Sequence, residues 1–169
     1  RQLLKVQELE TFQRFVRLCA GRTGQLLNLS SLAAECGITH NTVKAWISVL
    51  EASYLVFLLR PHHANFNKRL VKLPKLYFYD AGLVSWLLGI RTREQLETHP
   101  LRGSLFETMV VSELVKSSLN RGERPNLHFW RDSNGNEVDV IAEQGPGLIP
   151  VEIKSGKTVS RDGFVGLEK

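Results

Sequence analysis

Three charged residues stand in segments that otherwise read as apolar strands: Asp139 within Glu137–Ala142, and Glu152 and Lys154 within Leu148–Lys154. Side chains alternate across a strand, so Glu152 and Lys154 share one face and Ile153 takes the other. A short turn joins the two strands, which lets Asp139 lie beside Glu152. Two carboxylates and an ammonium then meet at the edge of a small sheet. Burying such charges is costly unless they pair or hold a metal. Two carboxylates can share a hard cation such as Mg²⁺ through oxygen. Such a cation polarises a phosphodiester, lowers the pKa of a water and stabilises the leaving oxygen. Lys154 would orient that water or meet the charged phosphate. Glu107, expected in the first turn of the preceding helix, adds a third carboxylate. Glu113, six residues on, points away from it on a helix of 3.6 residues per turn.

These residues need elements to position them. The spacing predicts a helix from Ser104 to Leu119, opened by Gly103, with Leu105, Met109, Val110, Leu114 and Val115 on its apolar side. His128–Arg131 reads as a first strand, and Asn134-Gly135 as the turn of a hairpin. In that strand Trp130 reads as core, His128 as a satisfied histidine rather than a ligand, and Arg131 as a partner for Asp139. Arg91 to Pro100 reads as a polar connector.

The first ninety residues have another character. Amphipathic periodicity predicts a helix over Val6–Ala20. A short helix follows, stopped by Gly37 in a turn that needs a positive φ. Thr39 caps the next helix, which runs from His40 to Ala52. Val43, Trp46, Ile47, Val49 and Leu50 form its buried side. Tyr54–Leu59 and Leu76–Tyr79 read as two strands, and Leu83–Leu88 as a short helix. Between those strands, residues 60–75 hold Arg60, Lys68, Arg69, Lys72 and Lys75 and no acid. This succession predicts a winged helix-turn-helix. Its second helix would lie in a DNA major groove and its ribbon would touch phosphates. His40, Asn41, Lys44, Lys68 and Arg69 are the candidate nucleic-acid contacts.

Charge divides the chain in the same place. Residues 1–75 carry 11 Lys and Arg against 4 Asp and Glu, a balance of +7. Residues 76–169 carry 11 against 13, a balance of −2. The basic half suits a phosphate backbone, although solvated basic faces are also common. At 43% hydrophobic and 23% charged residues, the composition is that of a globular protein. No apolar run is long enough to span a bilayer as a helix, so no membrane is expected. Cys19 and Cys36 read as reduced, in keeping with a cytoplasmic setting. The chain starts at Arg1 without a leader, and both ends look like cuts in a longer protein.

Asp139, twelve residues, then Glu152-Ile153-Lys154 resembles the motif of the PD-(D/E)xK nuclease superfamily, with its restriction-endonuclease-like fold. The segment from Gly103 to Glu107 is similar to the helix that carries that superfamily's early glutamate. Val138 stands where its usual Pro would precede the first Asp. More closely, the chain resembles the C-terminal region of prokaryotic AAA-type ATPases. This likeness rests on Pro74–Leu83, Gly103–Glu107, Trp130-Arg131 with Glu137–Asp139, and Val151–Gly156. It implies catalytic roles for Glu107, Asp139, Glu152 and Lys154, with Asp139 and Glu152 as Mg²⁺ ligands. It also implies an ATPase module upstream. The present residues hold no GxxxxGK[ST] run, so ATP enters only through that other module.

The expectation is therefore an α+β chain. Residues 1–90 form a winged helix-turn-helix, 91–99 a connector, and 100–169 a restriction-endonuclease-like α/β domain cut short at its C-terminus. The expected function is DNA binding beside an Mg²⁺-dependent phosphodiesterase site. The alternative is a non-catalytic module that binds DNA or protein for the ATPase. The sequence leaves the choice and the oligomeric state open.

Overall fold

In the computed structural model, residues 6–62, 72–132 and 134–156 are described. They form an α+β arrangement of six helices and one mixed six-stranded sheet. The helices are α1 (Val6–Ala20), α2 (Leu29–Cys36), α3 (His40–Ala52), α4 (Ala81–Leu87), α5 (Arg93–Thr98) and α6 (Arg102–Asn120). The strands are β1 (Gln25–Leu26), β2 (Val56–Pro61), β3 (Lys75–Phe78), β4 (Leu127–Arg131), β5 (Glu137–Gln144) and β6 (Gly147–Val151).

Local chemistry accounts for the first three helices. The Asn28 side chain accepts the Ser31 amide at 3.0 Å and starts α2. Gly37 ends it at φ 69°, a left-handed position that a side chain would strain. Thr39 accepts the Thr42 amide at 3.1 Å and starts α3. Phe15 and Cys19, four residues apart on α1, face the inside with Leu32 and Cys36 of α2 and Val43, Ile47 and Leu50 of α3. Trp46 meets the rings of Phe12 and Phe15 edge-on at 5.1 and 5.2 Å. Both cysteines are buried and unpaired, and burial pushes the Cys19 thiol up to about 12.

The sheet order is β1-β3-β2-β4-β5-β6. β2 and β3 pair antiparallel, and β4, β5 and β6 form a meander. Between these groups β2 pairs parallel with β4, Arg60 opposite His128. The two halves of the sequence thus share one sheet. A second cluster sits under α6, where Val111 packs with Leu59, Tyr77, Phe129 and Val140.

Several sequence readings shift. Tyr54 is not in a strand: it has φ 53° and lies in the turn that ends α3, its amide donating to the Glu51 carbonyl at 3.0 Å. Residues of the expected connector form α5, because Thr92 and Gln95 make a reciprocal capping pair. β6 stops at Val151, so Glu152 and Lys154 follow the strand instead of lying within it. α6 begins at Arg102, which puts Glu107 in its second turn. Val49 and Met109 are exposed, since none of the described elements covers that side of α3 or α6. Lys68 and Arg69 lie outside the described residues.

Phe15 is fully buried against an aromatic neighbour. Phe15→Ala should cost about 3–5 kcal/mol, read as a lower urea midpoint at unchanged slope. A loss below about 1 kcal/mol would show that this ring does not anchor the core.

Candidate functional site

The site is set by a shift of register in the β4–β5 pair. His128 pairs with Ile141, but Trp130 pairs with Val138, so Asp139 and Val140 together stand opposite Phe129. A bulge of this kind bends the strand and re-aims a side chain. Here it carries a carboxylate as well as an apolar group toward the α6 side. Val140 packs with Phe129. Asp139 feels the charges of Glu107 on α6 and Lys75 on β3.

On the next strand Val151 pairs with Val140, and the chain leaves the ladder immediately after. The Asp139 Oδ2 atom accepts the Ile153 amide at 2.8 Å, so it stitches the departing segment to β5. Glu152 follows Val151 and has 11% of its side chain exposed. Its Oε1 accepts from the Lys154 ammonium, whereas its Oε2 is buried and accepts no hydrogen bond from any of the described residues. Such an orphan acceptor is uncommon and costs free energy while it stays unmade.

Asp139 has a carboxyl pushed up to about 6. Burial is the largest cause, and the nearby Glu107 and Glu152 add to it. The Ile153 amide and the Lys75 ammonium oppose it. Asp139 is thus a carboxylate short of positive charge, and beside it Glu152 keeps one oxygen without a hydrogen bond among the described residues. Lys154, half exposed, has its pKa raised first by its bond to Glu152.

Glu107 is differently placed. Its Oε1 accepts from the Lys75 ammonium at 3.0 Å and from the Tyr77 hydroxyl. Lys75 is only 3% exposed and pairs on its other side with Glu137. Burial works against the charge on Lys75, but Glu107 and Glu137 outweigh it and its pKa is raised. Burial, then Glu107, raises that of Tyr77, which stays a hydroxyl donor. Arg131 lies 3.3 Å from Glu137 rather than on Asp139, the partner expected from the sequence. Trp130 is only part-buried. His128 shares Glu143 with His62, each imidazole Nε2 3.4 Å from one oxygen, and its Nδ1 lacks a hydrogen bond.

The structure therefore brings Asp139, Glu152 and Lys154 together, and ties Glu107 to other residues. Sequence reasoning missed Lys75, Tyr77 and Glu137. A signal was present: Lys75 and Tyr77 alternate in a strand, so they share a face and carry polar atoms into it.

Among the described residues, no group of three His, Cys, Asp or Glu is arranged to hold a metal ion. Two carboxylates still suit Mg²⁺, which commonly binds one or two and keeps its other positions for water and substrate phosphate. The orphan Oε2 of Glu152 and the destabilised charge of Asp139 fit such a cation.

His40, Asn41 and Lys44 are exposed on the first turns of α3. His40 and Lys44 line a cleft of about 380 Å³ with Asn28, Ser30 and Pro74. No helix among the described residues is long and apolar enough to cross a membrane.

Residues 1–94 match the domain of unknown function DUF8612, and residues 102–169 match a second, DUF4143. The chain is 32% identical over 151 residues to an uncharacterized protein of Mycobacterium bovis and to one of Mycobacterium tuberculosis. The alignment covers 89% of this chain and 33% of each relative, so the chain spans about a third of their length. No solved structure matches.

The raised Asp139 group makes the fold pH-dependent. Its folded pKa exceeds the ordinary 3.8, so the folded state holds the proton more tightly. Stability from this group is present below about pH 4 and is lost as pH rises through about 6. Asp139→Asn should therefore be more stable than the parent at pH 7.5 in EDTA, by on the order of 1 kcal/mol. The difference should vanish near pH 4. Thermal melts across that range decide it, and a less stable variant at pH 7.5 would contradict the assignment.

Proposed function

We propose that this chain, which belongs to the DUF8612 family of unknown function, binds DNA with its basic half and hydrolyses a phosphodiester at Asp139 and Glu152. In this reading residues 1–90 act as a winged helix-turn-helix and the α6-to-β6 region as a restriction-endonuclease-like unit. The two would form the C-terminal region of an AAA-type ATPase. The association of DUF4143 with such ATPases supports that context, as does the greater length of the relatives.

The observation that carries the reading is the part-buried carboxylate pair, with a bare Glu152 oxygen beside an Asp139 that resists ionisation. Asp139 and Glu152 would hold the cation, here Mg²⁺. When bound, that ion supplies Lewis acidity toward a phosphodiester and a water. Lys154 already lies against Glu152, and its half-exposed ammonium can turn to a phosphate oxygen. Glu107 supports the site at one remove, through the charge it places near Asp139. On α3, His40 and Asn41 at the helix start and Lys44 one turn later offer donors to a groove and its phosphates. Lys68 and Arg69 add charge to the same half.

One observation favours the alternative of a binding module without chemistry. Glu107, a catalytic residue by resemblance, is held by Lys75 and Tyr77 and leaves two carboxylates for the ion.

Cleavage separates the two readings. DNA incubated with the chain and Mg²⁺ or Mn²⁺ should be cut, and Asp139→Ala should lower the rate at least a hundredfold. Cutting that persists in Asp139→Ala comes from a contaminant, and no cutting by the parent leaves the binding module. For the DNA interface, Lys44→Glu with Lys68→Glu and Arg69→Glu should weaken binding and flatten its salt dependence. The slope should fall by about 0.9 for each phosphate that is no longer neutralised. An unchanged slope removes these residues from the interface.

A further inference from the structure

Lys75 belongs to β3, in the half of the chain matched by DUF8612, yet its ammonium lies among carboxylates of the other half. Glu107 comes from α6 and Glu137 from β5, two residues before Asp139. The two acids are not equally dependent on Lys75. Glu137 also has Arg131 at 3.3 Å, whereas Glu107 has Lys75 as its cation and the neutral Tyr77 hydroxyl beside it. The charges of Glu107 and Lys75 both reach Asp139, with opposite sign. Lys75 therefore opposes any cation drawn to Asp139, and it holds Glu107, a carboxylate whose charge also reaches Asp139.

We propose that Lys75 is a positioning residue that competes with the divalent cation for Glu107, so that a strand of the N-terminal half sets the cation affinity of the C-terminal site. This inference rests on the cation reading of Asp139 and Glu152. With the ammonium in place, Glu107 stays bound to β3 and the cation relies on two carboxylates. With the ammonium withdrawn, Glu107 becomes available and the repulsion ends. Both changes act in the same direction, because a divalent ion gains from an added carboxylate and from the removal of a positive neighbour. A displacement of β3 against α6 would have the same effect as removal of the amine.

The test is Mn²⁺ binding by the EDTA-stripped 169-residue chain at pH 7.5, followed by calorimetry and by the loss of the free-ion paramagnetic resonance signal. The parent should bind one Mn²⁺. Lys75→Met should bind it at least ten times more tightly, and Lys75→Arg should stay near the parent. Adding Glu107→Gln to Lys75→Met should remove most of the gain. Should Lys75→Met fail to fold, Lys75→Met with Glu137→Gln restores the charge balance, and its affinity should exceed the parent's by the same factor. Equal or weaker binding by the folded variants, beside a parent that binds one ion, overturns the role of Lys75 and leaves the cation site standing. A merely structural role would loosen the ion, so the direction of the change is decisive. A parent that binds no Mn²⁺ overturns the cation site and this inference with it.

Discussion

The ammonium of Lys75 is shut inside the protein between Glu107 and Glu137, and much of the molecule is arranged around keeping it there. A charge at that depth is tolerated only when opposite charges and hydrogen bonds surround it. Three elements meet that requirement together: β3 brings the amine, α6 one acid and β5 the other. Tyr77 completes Glu107, Arg131 completes Glu137, and the Phe129 ring lies 5.5 Å from the amine. Removing one member of a buried ionic group costs about 3–5 kcal/mol in measured cases. That is a large part of the roughly 5–15 kcal/mol by which a domain is usually stable.

The same arrangement explains why Asp139 is so unlike a surface carboxylate. A bulge turns it toward a region already rich in acid, where the buried amine of Lys75 is spoken for. Its hydrogen bond from Ile153 fixes the chain at the end of β6 and leaves Glu152 next to it. The sheet therefore creates a local excess of negative charge at a place where the backbone has stopped pairing. Such a combination is more informative than the motif spacing, because ion-pair clusters on a surface rarely leave a buried oxygen bare.

What could be read from the sequence was local. Thr39 and Gly37 mark their helix ends through chemistry that acts within four residues, and both are found in those roles. Asp139 and Glu152 could be placed side by side because a two-strand hairpin allows little else. The pairing of Lys75 with residues 32 and 62 positions later had no such local cause. Nor had the shift of one residue opposite Phe129, which depends on packing and not on any turn signal. Tyr54 misled because aromatic residues favour strands, whereas this one sits in a turn, exposed beside Tyr79. Met109, 46% exposed, misled because α6 carries more apolar surface than the sheet beneath it can cover.

The parallel seam between β2 and β4 has a consequence for biosynthesis. Among the described residues Arg60 and Pro61 pair only with residues 128 and 129, so the ribosome must make nearly seventy further residues before that ladder closes. Until then β2 presents an open edge, the kind of surface on which nascent chains stick to one another. Pairing across so long a stretch of chain is slow in its own right. Translation speed and chaperone supply should accordingly govern the yield of native protein more than the local caps that start and stop the first helices.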